Sequence, residues 1–168
     1  MKISTKGRYA LRMMIEFAMN PEHATKINQV AKNQQISEKY LEQIVSGLVK
    51  SGLVKSIRGA QGGYILSKEP KEYSVGDILR ATEGNLVPIY CLDSNTEPCW
   101  REGSCVTKNV FKQIADAVNR VVDGITLEDL LQEELAIRKA ASSSSSDTQK
   151  NKPSLSEQSQ EVPSSERG

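Results

Sequence analysis

Three cysteines fall within fifteen residues, Cys91, Cys99 and Cys105, with gaps of seven and five residues between them. Thiolates are soft donors that select zinc, copper(I) or iron–sulfur clusters. Clusters usually take four ligands, most of them cysteine. Three thiolates on one loop could hold a cluster and leave one iron position to another ligand. Two other readings fit the same spacing: reduced structural thiols, and a structural zinc module that mediates protein contacts. The surrounding run, CLDSNTEPCWREGSC, is polar and turn-rich with a single Trp. A loop of that length needs an internal staple or a partner. Enzymatic readings find little support. There is no Cys-x-x-Cys, and His23 is the one histidine, so neither a His-rich site nor a Ser-His-Asp set beyond His23 is available. His23 follows the first helix and reads as a surface residue.

A second constellation lies upstream, in Ser37 to Leu66. Ser37 can cap a helix start. Tyr40, Leu41, Ile44, Val45, Leu48 and Val49 then share one face at helical spacing. Gly52 suits the left-handed residue that closes a helix. Leu53–Arg58 and Tyr64–Ser67 read as two strands joined by the turn Gly59-Ala60-Gln61-Gly62-Gly63. The polar face of the helix offers Ser37, Lys39, Tyr40, Glu42 and Gln43. Gln can pair with adenine and Glu can accept from the cytosine amino group. A helix followed by a basic hairpin has the form of a winged helix-turn-helix, whose helix enters the major groove of double-stranded DNA while the wing touches backbone or minor groove.

Charge is distributed to match. The net charge is +1, yet residues 1–70 hold 11 Lys and Arg against 5 Asp and Glu, and residues 71–141 hold 8 against 12. The basic half coincides with the candidate DNA-binding module, as a nucleic-acid footprint requires. No signal peptide and no apolar run of membrane-spanning length is visible. Together with three cysteines, this sets an expectation of a reducing cytoplasm. Residues 142–168 hold ten serines and almost no large apolar side chains, so a disordered tail is expected.

The remaining elements follow in order. Residues 4–19 predict a first helix with Lys2, Lys6, Arg8 and Arg12 near its start. Cations there oppose the helix dipole, which a nearby phosphate would relieve. Ile27 to Gln34 predicts a second helix, turning through Gln35-Ile36 into the third, the helix-turn-helix spacing. Ser74-Val75-Gly76-Asp77 is a variant capping box opening a short helix that ends near Gly84. Residues 106–123 predict the longest helix, with Val106, Val110, Phe111, Ile114, Ala117, Val118, Val121 and Val122 as one broad apolar stripe and Gly124 as the stop. A long one-sided helix suits pairing with a second copy of the chain. Thr126 and Asp129 cap a last helix with Leu127, Leu130, Leu131 and Leu135 on its apolar side. The expected fold class is therefore mainly α with a small β-wing: a winged helix-turn-helix domain over 1–84 (helix-turn-helix 27–50, wing 53–67), a cysteine loop over 85–105, and dimerisation and C-terminal helices over 106–141.

The run I-S-x-x-Y-L-E-Q-I, followed by G-L-V-x-S-x-R-G-x-x-G-G-Y, resembles the Rrf2 family of bacterial transcription regulators. The opening Met1-Lys2-Ile3-Ser4-Thr5-Lys6-Gly7-Arg8-Tyr9-Ala10-Leu11-Arg12 is similar to the same family, and the likeness covers roughly residues 1–140. The nearest look is to its iron–sulfur branches, IscR-like (Gram-positive type) and NsrR-like. The resemblance implies a homodimeric DNA-binding regulator, a repressor, that reads iron–sulfur status and controls cluster-assembly genes. The alternatives within the family are a nitric-oxide-sensing NsrR-like repressor and a CymR-like repressor of cysteine metabolism that needs no cluster. It also implies DNA contacts by Ser37, Lys39, Tyr40, Glu42 and Gln43 on the third helix. Arg58 and Gly59 of the wing belong with them, and phosphate contacts fall to Lys2, Lys6, Arg8 and Tyr9. Family members often carry Pro or Gly after the R-G pair, where this chain has Ala60-Gln61. Cluster-binding members keep three cysteines in the loop, which implies a [2Fe-2S] cluster, favoured over [4Fe-4S], on Cys91, Cys99 and Cys105. The fourth ligand stays unassigned. Lys108 stands where one branch has a histidine, and Arg8 stands where another has an aspartate. Glu102, Ser104 or a small exogenous ligand are the remaining candidates.

Overall fold

The computed structural model describes residues 3–144. Lys2 and the serine-rich run past residue 144 therefore lie outside the described residues. Two units divide the chain, Met1–Leu135 and Ala136–Gly168, and the packing below belongs to the first.

The elements are α1 (Thr5–Ala18), α2 (Ile27–Gln34), α3 (Glu38–Lys50), β1 (Val54–Ile57), β2 (Gly63–Leu66), α4 (Val75–Glu83), α5 (Val106–Gly124) and α6 (Leu127–Ser144). Short 3-10 turns occupy Pro70–Glu72 and Tyr90–Leu92. Capping side chains set several starts, since the first turn of a helix leaves N–H groups without intrahelical partners. Ser4 accepts from Lys6 N at 3.0 Å, Ser37 accepts from Tyr40 N, and reciprocal boxes join Ser74 to Asp77 and Thr126 to Asp129. Between α2 and α3 the chain turns through Gln35, whose left-handed φ of 54° ends α2.

One core holds the first half together. Ala10, Met13, Met14, Phe17 and Ala18 of α1 are buried with Val30 and Ala31 of α2, Leu41, Ile44, Val45 and Leu48 of α3, Val54 of β1, and Ile78 of α4. The burial falls on the faces that helical spacing marks out, except that Tyr40 and Val49 are only half-buried.

The wing is a two-stranded antiparallel sheet, in register from Val54 opposite Leu66 to Ile57 opposite Gly63. It is shorter on its first strand than expected. Leu53 lies outside, and Arg58 falls in the turn because Gly59 adopts a φ of 107° directly after it. Gly63 joins the second strand. Thr25 pairs with the free edge of β2, exchanging 2.9 Å bonds with Tyr64 in both directions. A Cβ on Gly63 would sit 2.6 Å from the Thr25 carbonyl oxygen, so this close backbone approach needs glycine.

Tyr73 ties both feet of the wing. Its hydroxyl accepts from Lys68 N at 2.7 Å and donates to Leu53 O at 3.0 Å. The ring is buried, and burial pushes the phenol pKa upward. Its carbonyl also accepts from Leu127 N at 2.9 Å, joining the wing base to α6.

The broad stripe expected on α5 divides into two faces. At 3.6 residues per turn, Phe111, Ala115, Val118 and Val122 share one side, and all four are buried or half-buried. Val106, Val110, Ile114, Ala117 and Val121 share another, and all five are exposed, Val106 to 81% and Val121 to 60%. Gly124 is the last helical residue, followed by the cap Ile125. On α6, Leu127 and Leu131 are buried, Leu130 is half-buried and Leu135 is 44% exposed. The helix runs to Ser144, so residues 142–144 are helical where the expected tail begins. Among the described residues no helix is long and apolar enough to cross a membrane.

Tyr73→Phe removes a hydroxyl that satisfies two main-chain groups. A loss of about 1–2 kcal/mol in unfolding free energy is expected, together with faster amide exchange at Lys68. Denaturant unfolding and hydrogen exchange check both.

Candidate nucleic-acid interface and thiol loop

The start of α1 and the start of α3 meet. Tyr9 and Tyr40 pack edge to face, centroids 5.9 Å apart. The guanidinium of Arg8 lies 6.0 Å from the Tyr9 centroid and that of Arg12 lies 5.7 Å from it, on the two sides of one helical turn. Such cation–ring contacts hold the guanidinium groups in place while leaving their N–H donors free to bond elsewhere. Arg8 and Arg12 are exposed and Lys6 is half-buried. Beside them Ser37, Lys39, Glu42 and Gln43 face solvent, with Tyr40 half-buried between the two surfaces. Arg58 and Gly59 are exposed at the wing turn. Arg12, four residues after Arg8, is among the cations that the sequence sets near the start of α1.

A buried carboxylate supports this surface from behind. Glu16 of α1 is 2% exposed and accepts from Asn33 Nδ2 at 2.9 Å and Gln34 Nε2 at 2.7 Å. Those amides end α2, so Glu16 ties α1 to the turn that launches α3. Nothing in the local pattern marks Glu16, since it reads as one more helix carboxylate until α2 is placed against it.

The cysteine loop is stapled internally. Asp93 Oδ1 accepts from Asn95 N at 2.9 Å and from Asn85 Nδ2 at 3.1 Å, and Thr96 Oγ1 donates to Asp93 O at 2.8 Å. The Asn95 main-chain N–H, followed by the Asn85 side chain, holds the Asp93 carboxyl below its ordinary range. Cys91 lies in the 3-10 turn, Cys105 is the residue preceding α5, and Cys99 sits in the turn-rich stretch between them. All three are free thiols of intermediate exposure. An open hollow of about 290 Å³ is lined by Cys91, Leu92, Asp93, Glu102 and Lys108 among others. Lys108 is paired with Glu102 and lies within electrostatic reach of both Cys91 and Cys105, whose thiolates, after Glu102, help raise its pKa. Trp100 is 89% exposed, with the Arg101 guanidinium 5.2 Å from its ring centroid.

The donor set fits a cluster in kind, three soft thiols on one loop. Its placement is open: among the described residues no group of three His, Cys, Asp or Glu side chains is arranged to hold a metal ion. Lys108 lies within electrostatic reach of two of the thiols and, as an ammonium, offers donors only. Glu102 is engaged with it, and Ser104 is exposed with its hydroxyl directed to Arg101 O. Arg8 projects from the start of α1 beside Tyr9.

An exposed recognition-type helix, a paired wing and a basic flank define a winged helix-turn-helix protein, and comparison with known proteins agrees. The Rrf2 profile, described as an iron-dependent transcriptional regulator, matches residues 3–133. The HTH-type transcriptional regulator CymR of Bacillus subtilis is 49% identical over 131 residues, 77% of this chain and 89% of that protein. The solved structure of CymR, the global cysteine regulator of B. subtilis, superposes with a TM-score of 0.65 at 46% identity, covering 79% of this chain and 98% of that one. T. potens IscR superposes with a TM-score of 0.63 at 38% identity, covering 80% and 88%. The chain belongs to the Rrf2 family of transcriptional regulators. Its relatives are DNA-binding regulators and not enzymes.

The Cys105 thiolate is supported by its neighbours. The Thr107 hydroxyl lies 3.2 Å from its Sγ. This contact, followed by the Lys108 main-chain N–H, lowers the thiol pKa below its ordinary value. The thiolate is the nucleophile, so a lowered pKa means faster alkylation near neutral pH. In cluster-free protein, Thr107→Val is expected to slow iodoacetamide labelling of Cys105 a few-fold near neutral pH, about the effect of a modest pKa rise. The two rates should converge at strongly alkaline pH. Peptide mass mapping against time reads the difference.

Proposed function

We propose that this protein is a homodimeric repressor that grips operator DNA with paired copies of its winged module. We further propose that the thiol loop sets that grip through an iron–sulfur cluster. The observation that carries the DNA-binding half is the joined surface of α1 and α3. There Arg8, Tyr9 and Lys6 flank an exposed helical face of Ser37, Lys39, Tyr40, Glu42 and Gln43, with Arg58 and Gly59 at the neighbouring wing tip. In this reading Glu42 and Gln43 read base edges. Lys6, Arg8 and Arg58 contribute phosphate or minor-groove contacts, whose counterion release makes binding salt-sensitive. The module extends over residues 1–84, and α5 supplies the dimer seam through Val106, Val110, Ile114 and Val121. Four exposed apolar side chains on one helical face are what a self-complementary interface offers.

Cys91, Cys99 and Cys105 would hold the cluster, a [2Fe-2S] centre in the first instance. Cys105 immediately precedes α5, so ligation there would tie the loop to the foot of the dimer seam. A bound cluster would supply a redox- and supply-sensitive crosslink among the three thiols, and its gain or loss is what DNA binding would report. The target genes in this reading are those of cluster assembly. A second reading has a specific support. The 49% identity to CymR, the global cysteine regulator of B. subtilis, favours control of cysteine metabolism without a cluster.

One set of measurements separates these. Protein purified without air is expected to be brown and to contain iron and acid-labile sulfide. Cys91→Ala, Cys99→Ala and Cys105→Ala should lose the colour and bind promoter DNA with altered affinity or site choice. Arg58→Ala should weaken binding and reduce the salt slope by about one. Colourless, iron-free protein that still binds DNA turns the reading to cysteine control. Unchanged DNA binding in all three cysteine variants removes the sensor. Absence of salt-dependent DNA binding by the parent protein removes the interface.

A further inference from the structure

The C-terminal half of helix α4 is tied in two directions by charged side chains. At its C-terminal end Glu83 Oε1 accepts from Ser4 Oγ at 2.6 Å and from Gly7 N at 2.8 Å. This locks α4 to the first turn of α1, the helix that carries Arg8 and Tyr9. One turn earlier Arg80 reaches the other way. Its Nη1 and Nη2 donate to the two carboxylate oxygens of Asp123 at 2.8 and 2.9 Å, and Nη2 also donates to Asn119 Oδ1 at 3.0 Å. Asn119 and Asp123 are one turn apart on α5. At 3.6 residues per turn they lie roughly opposite the exposed row Val110, Ala117 and Val121. One guanidinium therefore grips the back of the helix whose front presents the apolar row.

The grip fixes rotation. The bond from Val75 N to Ile125 O at 2.9 Å anchors the end of α5, and the small cluster of Val75, Leu79, Leu86 and Val122 fills the contact. Apolar contacts alone tolerate sliding, because they have no direction. A planar fork bonded to two residues one turn apart allows one rotation only, which a lysine ammonium would hold less strictly. The pair is partly exposed, 38% and 46% by side chain, and ion pairs so placed add little to stability. The packing also leaves room for the clasp. A Cβ on Gly76 would lie 2.0 Å from Asp123 Oδ1 and 2.6 Å from Arg80 Nη1.

We infer that Arg80 is a positioning residue for two-site DNA recognition: through Asn119 and Asp123 it sets the rotation of α5 on α4. It thereby sets the separation at which paired chains present their two α3 helices to a duplex. The inference rests on the dimeric DNA-binding reading above. Half-site separation is a geometric property of such a pair, so it responds to α5 rotation even when each α3 surface is intact.

The experiment uses the full-length protein and duplexes it selects from a random-sequence pool. The same half-sites are then remade with one to three added or removed spacer base pairs, alongside a duplex bearing a single half-site. The parent protein is expected to prefer its selected spacing by about tenfold or more. Arg80→Met should cut that preference to about twofold or less while leaving single-half-site affinity within about twofold. Arg80→Lys should restore part of it. Gly76→Ala should act like Arg80→Met, although alanine ordinarily strengthens a helix. It therefore separates positioning from loss of stability and carries the test if Arg80→Met does not fold. Variants that keep the parent preference overturn the inference, as do variants whose single-site binding falls in step with two-site binding. A parent protein that sediments as a monomer, or shows no spacing preference, overturns the dimeric reading itself.

Discussion

The burial of Leu41, Ile44, Val45 and Leu48 in one core with Met13, Met14 and Phe17 decides which way the rest of α3 faces. A helix has one inward stripe, and once it is filled the opposite face is exposed by geometry. Here that face carries Ser37, Lys39, Glu42 and Gln43. The same core sets α1 beside α3, so that Tyr9 meets Tyr40 and two arginines are held against one ring. The proposed interface is thus a by-product of apolar packing, trimmed by polar ties. Glu16 fixes the end of α2, and the Tyr73 hydroxyl fixes both feet of the wing.

Away from that core the packing thins. Helix α5 buries only Ala115 and Val122 and leaves a full apolar row in solvent. That row is the face the proposed dimer would cover. Its rotation is held by α4, which reaches the first turn of α1 through Glu83 and the back of α5 through Arg80. The exposed row of α5 and the proposed DNA interface are therefore linked through one nine-residue helix. The thiol loop lies between α4 and α5 in the chain, ending at Cys105 directly before the exposed row begins.

Much of this was legible in the residues, for stated reasons. Ser37 and Ser74 announce helix starts because a hydroxyl there can accept from a free N–H, and Gly52 and Gly84 announce stops because they take positive φ. The end of α2 at Gln34 was also legible, although the left-handed Gln35 was not. What escaped was whatever depends on partners distant in the chain. Glu16, Tyr73 and Arg80 look ordinary until Asn33, Leu53 and Asp123 are set against them. The single stripe drawn on α5 became two because eight apolar residues spread over more of the helix than one neighbour can cover. The three cysteines were recognisable as a site by type and spacing. How they would converge was not, since the loop that holds them is ordered by Asp93 and its amide donors, with no repeat to read.

The most direct measurement is hydrogen–deuterium exchange of the protein with and without an operator duplex selected from a random pool. The main-chain amides of Glu38 and Lys39 sit in a first helical turn without intrahelical partners, and those of Arg58, Gly59 and Ala60 lie in an exposed turn, so all exchange quickly in the free protein. Duplex should slow exchange at both stretches together, with slowing along the exposed row of α5 independent of DNA and dependent on protein concentration. Slowing that spares residues 38–39 and 58–60 and falls elsewhere would contradict the interface drawn from α1, α3 and the wing.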